Sequence, residues 1–175
     1  MNKGLEVIEA RWLFGVPGER IEVMIHPQSI VHSLIELADG SMLAQLGATD
    51  MRHPIQYALT YPERWESQLA PLDLPAVGRL EFEWPDRQSF PCLNLGYAAL
   101  AAGGSAPAVL NAANEIAVKA FLERRISLPD IAVVIEETLQ RHPCRPAGRV
   151  EDVLEIDAEA RRIADECARR TSVSS

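Results

Sequence analysis

Residues 21–47, IEVMIHPQSIVHSLIELADGSMLAQLG, decide the fold class of this chain. Ile21, Val23 and Ile25 alternate with Glu22, Met24 and His26, the two-residue period of a strand with one apolar face. IVHSLIEL and SMLAQLG are two more strand-like runs, joined through Asp39-Gly40, a dipeptide suited to a tight hairpin turn. Three such runs in succession predict an antiparallel three-strand meander with a helix packed on one face. The resulting expectation is an α+β chain: a short helix and the meander, an extended linker, then a four-helix, bundle-like C-terminal domain.

The stretches on either side supply the helices. MNKGLEVIEARWLF reads as helical, with Leu5, Ile8 and Trp12 on the side expected to enter a core. The same spacing puts Asn2, Lys3 and Glu6 on one face, with Glu9 a turn further on. TDMRHPIQYALTYP predicts a short helix with Pro54 in its first turn. From Pro62 to Asp86 the texture is proline-punctuated and little periodic, apart from RLEFEW, which alternates like an isolated strand. From Ser89 the chain is Ala-rich with a helical period. Helices are expected over Pro91–Ala102, from Ser105 to about Arg124, from Ser127-Leu128-Pro129-Asp130 to before Pro143, and from near Asp157 into RRTSVSS. The expected division is 1–61, 62–88 as linker, and 89–175.

Composition excludes some partners. With 47% hydrophobic and 24% charged residues, the 175-residue chain suits one globular domain or two small ones. A formal charge of −8 argues against a nucleic-acid partner, which calls for a basic face to displace counterions from phosphates. No apolar run approaches a bilayer span and no signal-peptide core is present, so no membrane partner is expected. Cys92, Cys144 and Cys167 are widely spread without a CxxC pair, which reads as free thiols in a reducing, cytoplasmic setting.

Asn2, Lys3 and Glu6 admit two readings. One is a site that binds an anion or sugar through Asn2 and Lys3, with Glu6 as ligand to a hard cation such as Mg²⁺ or Mn²⁺. The other is a solvated helix start, and spacing alone favours it. His26 and His32 flank PQSIV and could share a pocket with Ser29, but no nucleophile elbow accompanies them; a strand-end histidine bonded to backbone is the plainer reading. His53 and His142, beside prolines at helix boundaries, read as surface. AAGGSAP lacks GxGxxG and any P-loop lysine, so no dinucleotide loop is present. Asn111, Asn114 and Glu115 in NAANEIAVKAF read as structural, tying their helix to a neighbouring loop.

Wording goes further than spacing. MNKGLEVIEARWLF, IHPQSIVHSLIELADGSMLAQLG, DMRHPI and LNAANEIAVKAFL, in that order, resemble the second half of the 1-deoxy-D-xylulose 5-phosphate reductoisomerase family, over Met1 to about Arg170. The resemblance implies a homodimeric enzyme of the non-mevalonate isoprenoid route. Such enzymes rearrange 1-deoxy-D-xylulose 5-phosphate and reduce the product with NADPH to 2-C-methyl-D-erythritol 4-phosphate, aided by a divalent cation. By the same resemblance Glu6 is a metal ligand, Asn2 and Lys3 contact substrate, and Lys3 and Glu6 are catalytic. Met51 packs over the nicotinamide or substrate side of the site, with a cofactor-binding role, and Ser29 and His32, in the strand-turn region lining the site, support it from behind. One departure is visible: where the family commonly has Gly-x-Pro-Asp-Met, this chain has Gly47-Ala48-Thr49-Asp50-Met51, which is expected to loosen the loop presenting Met51. The family's NADPH domain and its Asp-x-Glu metal ligands do not occur in these residues. The chain alone is therefore expected to be inactive, either as part of the enzyme or, alternatively, as a non-enzymatic dimerisation or interaction module.

Overall fold

The computed structural model describes residues 1–171. Among them are seven α-helices and a two-stranded antiparallel sheet, a mixed α+β chain. Helix α1 is Asn2–Phe14, followed by a short 3-10 turn at Gly18–Arg20; β1 is Val31–Glu36 and β2 Met42–Leu46. Helices α2 (Arg52–Thr60) and α3 (Leu74–Val77) precede α4 (Cys92–Ala102), α5 (Ala106–Leu122), α6 (Asp130–Arg141) and α7 (Val150–Thr171).

The meander is corrected to a hairpin. β1 and β2 pair as expected through the Asp39-Gly40 turn, where Asp39 accepts from both the backbone N–H and the hydroxyl of Ser41. The third run, residues 21–26, joins neither strand. Pro27 removes a ladder donor, and Ser29 adopts a left-handed φ of 52°, which turns the chain before β1. Ile25 instead forms an isolated antiparallel bridge with Glu83 of RLEFEW. The stretch expected to be an extended linker therefore supplies this strand-like partner, and it also contains α3.

Packing groups the chain differently from the composition-based division at 61 and 88. One unit is Met1–Val23 together with the chain from Pro85 onward; the other is Met24–Trp84. The buried apolar core belongs to the first unit. Ile8 of α1 joins Ala99, Leu110, Ala113, Val134, Ile135 and Ala164 in it. Alanines along α5 (Ala106, Ala112, Ala113, Ala117, Ala120) let α4, α6 and α7 approach closely on its different sides. α1 packs on α4, so five helices rather than four make up this unit's packing. Trp12, expected inside, is 75% exposed; the buried face of α1 is Gly4, Val7 and Ile8.

α7 begins seven residues before the expected Asp157. Asp152 accepts from the backbone N–H of Arg149 at 3.1 Å, supplying an orphan donor of the first turn with a partner. Asp130 does the same for Ser127 ahead of α6. Ile156, Ala160, Ala164, Cys167 and Ala168 then form a continuous buried stripe at helical spacing. The last four residues of the RRTSVSS tail, 172–175, lie outside the described residues.

Candidate functional site

The site candidates of the first unit sit on the opening turns of α1, and a glycine crossing fixes where that helix lies. Gly4 is buried against α4. A Cβ placed on Gly96 would meet the Gly4 Cα at 2.6 Å and its carbonyl oxygen at 2.9 Å. Glycine at 96 is what lets the two backbones come this close, while a Cβ on Gly4 would sit at 3.3 Å from Cys92 O and Gly96 Cα. The contact lies one residue from Lys3 and two from Glu6 and Asn2, so it sets their positions directly. Lys3 Nζ donates to Glu6 Oε2 at 2.6 Å, with the two side chains 61% and 51% exposed. An exposed pair of this kind is worth only about 0–1 kcal/mol and exchanges partners readily.

Asn2 is placed beside α5. Its exposed side chain lines an open cleft of about 530 Å³ together with Asn114, Glu115, Val118, Lys119 and Leu122. Glu115 is held from two sides: Asn111 Nδ2 donates to it at 3.0 Å, and Arg161 of α7 at 2.7 Å. Arg161 also grips Asp157 at 2.6 Å. Asn111 and Glu115 thus tie their helix to a neighbour, as expected, although the neighbour is a helix rather than a loop. Asn114 does not fit that reading. Its Oδ1 is shut off from solvent and accepts no hydrogen bond. The readable signal was a carboxamide set among alanines.

Ser29, His32 and Met51 belong to the second unit. His32 sits where the β1–β2 register shifts between Val31 and Ser33, the extra residue of a bulge, which re-aims its side chain beside Gly47. The Ser29 carbonyl accepts from Thr49 Oγ1 at 2.9 Å. Thr49, expected to leave this loop looser, instead tethers the stretch before Met51 through that hydrogen bond. Asp50 adds a second brace, accepting both the Arg52 guanidinium fork and the Arg52 backbone N–H. That donation holds the Asp50 carboxyl down at about 2. Met51 is 71% exposed.

The remaining histidines divide. His26 bonds through Nδ1 to the Glu81 carbonyl at 2.7 Å and stacks on Phe82, the backbone-bonded role expected for it. His53 is exposed, but His142 is 4% exposed rather than on the surface. α7 covers it, with Glu159 Oε2 at 3.5 Å from its Nε2 and at 2.9 Å from Arg145. Among the described residues no group of three or more His, Cys, Asp or Glu converges as a metal site. Glu6 therefore offers one carboxylate, well short of the six or more oxygens that a hard divalent cation takes. All three cysteines are free, and no helix among the described residues is long and apolar enough to cross a membrane.

Residues 46–163 match the family described as the DXP reductoisomerase C-terminal domain. The chain belongs to the DXP reductoisomerase family. It is 60% identical over 165 residues to the 1-deoxy-D-xylulose 5-phosphate reductoisomerase of Ralstonia nicotianae, covering 94% of this chain and 42% of that protein. To the enzyme of the same name from Acetivibrio thermocellus it is 54% identical, covering 95% and 44%. Among solved structures, the reductoisomerase from Zymomonas mobilis in complex with NADPH superposes with a TM-score of 0.92 at 47% identity, covering 95% of this chain and 44% of that one. A DOX-P reductoisomerase in complex with magnesium gives 0.93 at 45% identity, covering 98% and 45%. The chain thus spans a little over two-fifths of the relatives it matches and corresponds to a C-terminal fragment of the family's enzyme. That correspondence disfavours a free-standing interaction module.

Proposed function

We propose that this chain is the C-terminal portion of a 1-deoxy-D-xylulose 5-phosphate reductoisomerase and supplies one wall of that enzyme's active site. The observation that carries the proposal is the start of α1. Asn2, Lys3 and Glu6 are exposed on a helix fixed from beneath by the Gly4–Gly96 crossing, in a chain 60% identical to a named reductoisomerase. In the complete enzyme Asn2 and Lys3 meet the sugar phosphate, and Glu6 gives one carboxylate to a magnesium or manganese ion. Such an ion stabilises negative charge developing on substrate oxygens. The Lys3–Glu6 pair opens at small cost, since it is exposed, and releases the ammonium to substrate and the carboxylate to the cation.

The family resemblance gives Met51 a role on the nicotinamide or substrate side in the complete enzyme and Ser29 and His32 supporting roles; the loop before Met51 is held by Thr49 and Asp50. On this reading residues 1–61 end the catalytic, dimer-forming part of the sequence, 62–88 connect, and 89–175 carry the helical part, α1 packing with the latter in the unit Met1–Val23 plus Pro85 onward. The hairpin leaves Ile35, Met42 and Leu43 more than half exposed, a surface suited to a homodimer contact. Free thiols suit a cytoplasmic enzyme. With one carboxylate and no nucleotide loop, the chain by itself should not turn over.

The test is NADPH oxidation in the presence of the sugar phosphate and Mg²⁺. It compares this chain alone with the same chain joined in frame behind the preceding part of the Ralstonia relative. The joined protein is expected to turn over and the chain alone to give only the background of its Glu6→Ala variant. Turnover by the chain alone above that background, or an inactive joined protein beside an active relative, would contradict the proposal.

A further inference from the structure

The cleft beside α1 holds a polar atom that nothing in the fold explains. Asn114 Oδ1 is closed to solvent without a hydrogen-bond donor, although its residue projects from α5 into the cleft that Asn2 also lines. A buried acceptor left unpaired is destabilising, and such groups persist where another state of the protein uses them. The carboxylates of the cleft cannot donate to it, and the ammonium of Lys119 is turned out to solvent. Glu115 is an acceptor already engaged by Asn111 and Arg161, and Lys119 lies 4.0 Å from Glu123. Asn2 is different: its carboxamide carries two N–H donors and stands exposed on the first residue of α1.

We propose that Asn114 is a positioning residue for Asn2, its Oδ1 accepting one N–H of the Asn2 carboxamide when substrate is bound. That bond orients the second N–H and the carbonyl oxygen of Asn2 toward the sugar phosphate. The inference rests on the substrate role proposed above for Asn2. In this chain the Asn114 oxygen is unsatisfied, so the same side chain would cost stability while aiding binding, the kind of conflict found at functional positions.

The experiment uses the full-length joined enzyme and its Asn2→Ala, Asn114→Leu, Asn114→Ala and Asn2→Ala/Asn114→Leu variants. The readouts are kcat, KM for the sugar phosphate, and thermal midpoint. Asn114→Leu should raise KM about tenfold, in the range for a lost oriented hydrogen bond, with kcat within about twofold. In the Asn2→Ala background it should add nothing, because the group it positions is gone. Its thermal midpoint should equal or exceed wild type, since an unsatisfied buried polar group has been replaced by an apolar one of similar size. If Asn114→Leu folds poorly, Asn114→Ala must show the same non-additive rise in KM. If Asn2→Ala raises KM while both Asn114 variants leave it unchanged, or multiply it equally in both backgrounds, the positioning role is overturned and the Asn2 role stands. If Asn2→Ala leaves KM unchanged, the substrate role of Asn2 fails and this inference fails with it.

Discussion

Replacing Gly96 by alanine tests whether the α1–α4 crossing holds the candidate site in place. The new methyl would lie 2.6 Å from Gly4 Cα, 2.9 Å from its oxygen and 3.0 Å from its carbonyl carbon. All three atoms are backbone, so no side-chain tip can swing aside and one helix must move. Inserting a methyl into a well-packed contact costs about 1–3 kcal/mol, and the rigid neighbours put this case at the upper end. Alanine offsets roughly 1 kcal/mol of that through its better helix propensity. The net loss is about 2 kcal/mol, which for a chain of this size lowers Tm by about 4–8 °C. Gly4→Ala is the comparison: its nearest contacts are 3.3 Å, to Cys92 O and Gly96 Cα, so it should lose less than half as much. Thermal denaturation followed by far-UV circular dichroism reads both. A Gly96→Ala protein melting at or above the wild-type temperature would refute the reasoning, because it would show that the helices do not meet at that spacing.

Asp50 should titrate near 2, its carboxylate held down by the Arg52 fork and backbone N–H. A depressed acid stabilises the fold above its unfolded value of 3.8 and loses that contribution as pH falls through about 2; carboxyl ¹³C shifts against pH should show the low midpoint, and Arg52→Ala should return it toward 3.8. Thiol labelling should modify Cys144 promptly, Cys92 slowly because burial raises its thiol pKa, and Cys167 only on unfolding. Two thiols reacting in the fast phase would contradict the packing described for α4 and α7.

Much of this fold is legible in local pattern. The helices from 92 onward follow from apolar spacing and from proline and acidic residues near their starts, and the hairpin follows from Asp39-Gly40. What the pattern lacks is the identity of a partner. Ile21–His26 alternates like a strand, yet alternation does not say that residue 25 pairs with residue 83 across the proline-rich stretch. The α7 start is hidden because Val150, Val153 and Leu154 are exposed, so the buried stripe begins only at Ile156. His142 looked superficial beside Pro143, and only the path of α7 buries it.

The candidate site follows the same rule. Spacing alone groups Asn2, Lys3 and Glu6 without separating a site from a solvated helix start; the family resemblance is what favours the site in the reading proposed above. Asn114 reads as structural in sequence, because the lack of a partner for its Oδ1 is a property of the folded packing around α5 rather than of any one segment.

The most direct measurement is the Mg²⁺ and Mn²⁺ dependence of turnover in the full-length enzyme with and without Glu6→Gln. Removing one charged metal ligand while keeping its shape should raise the cation concentration needed for half-maximal rate by about tenfold or more and lower the maximal rate. Unchanged metal dependence and rate in Glu6→Gln would contradict the central claim that α1 forms a wall of the active site.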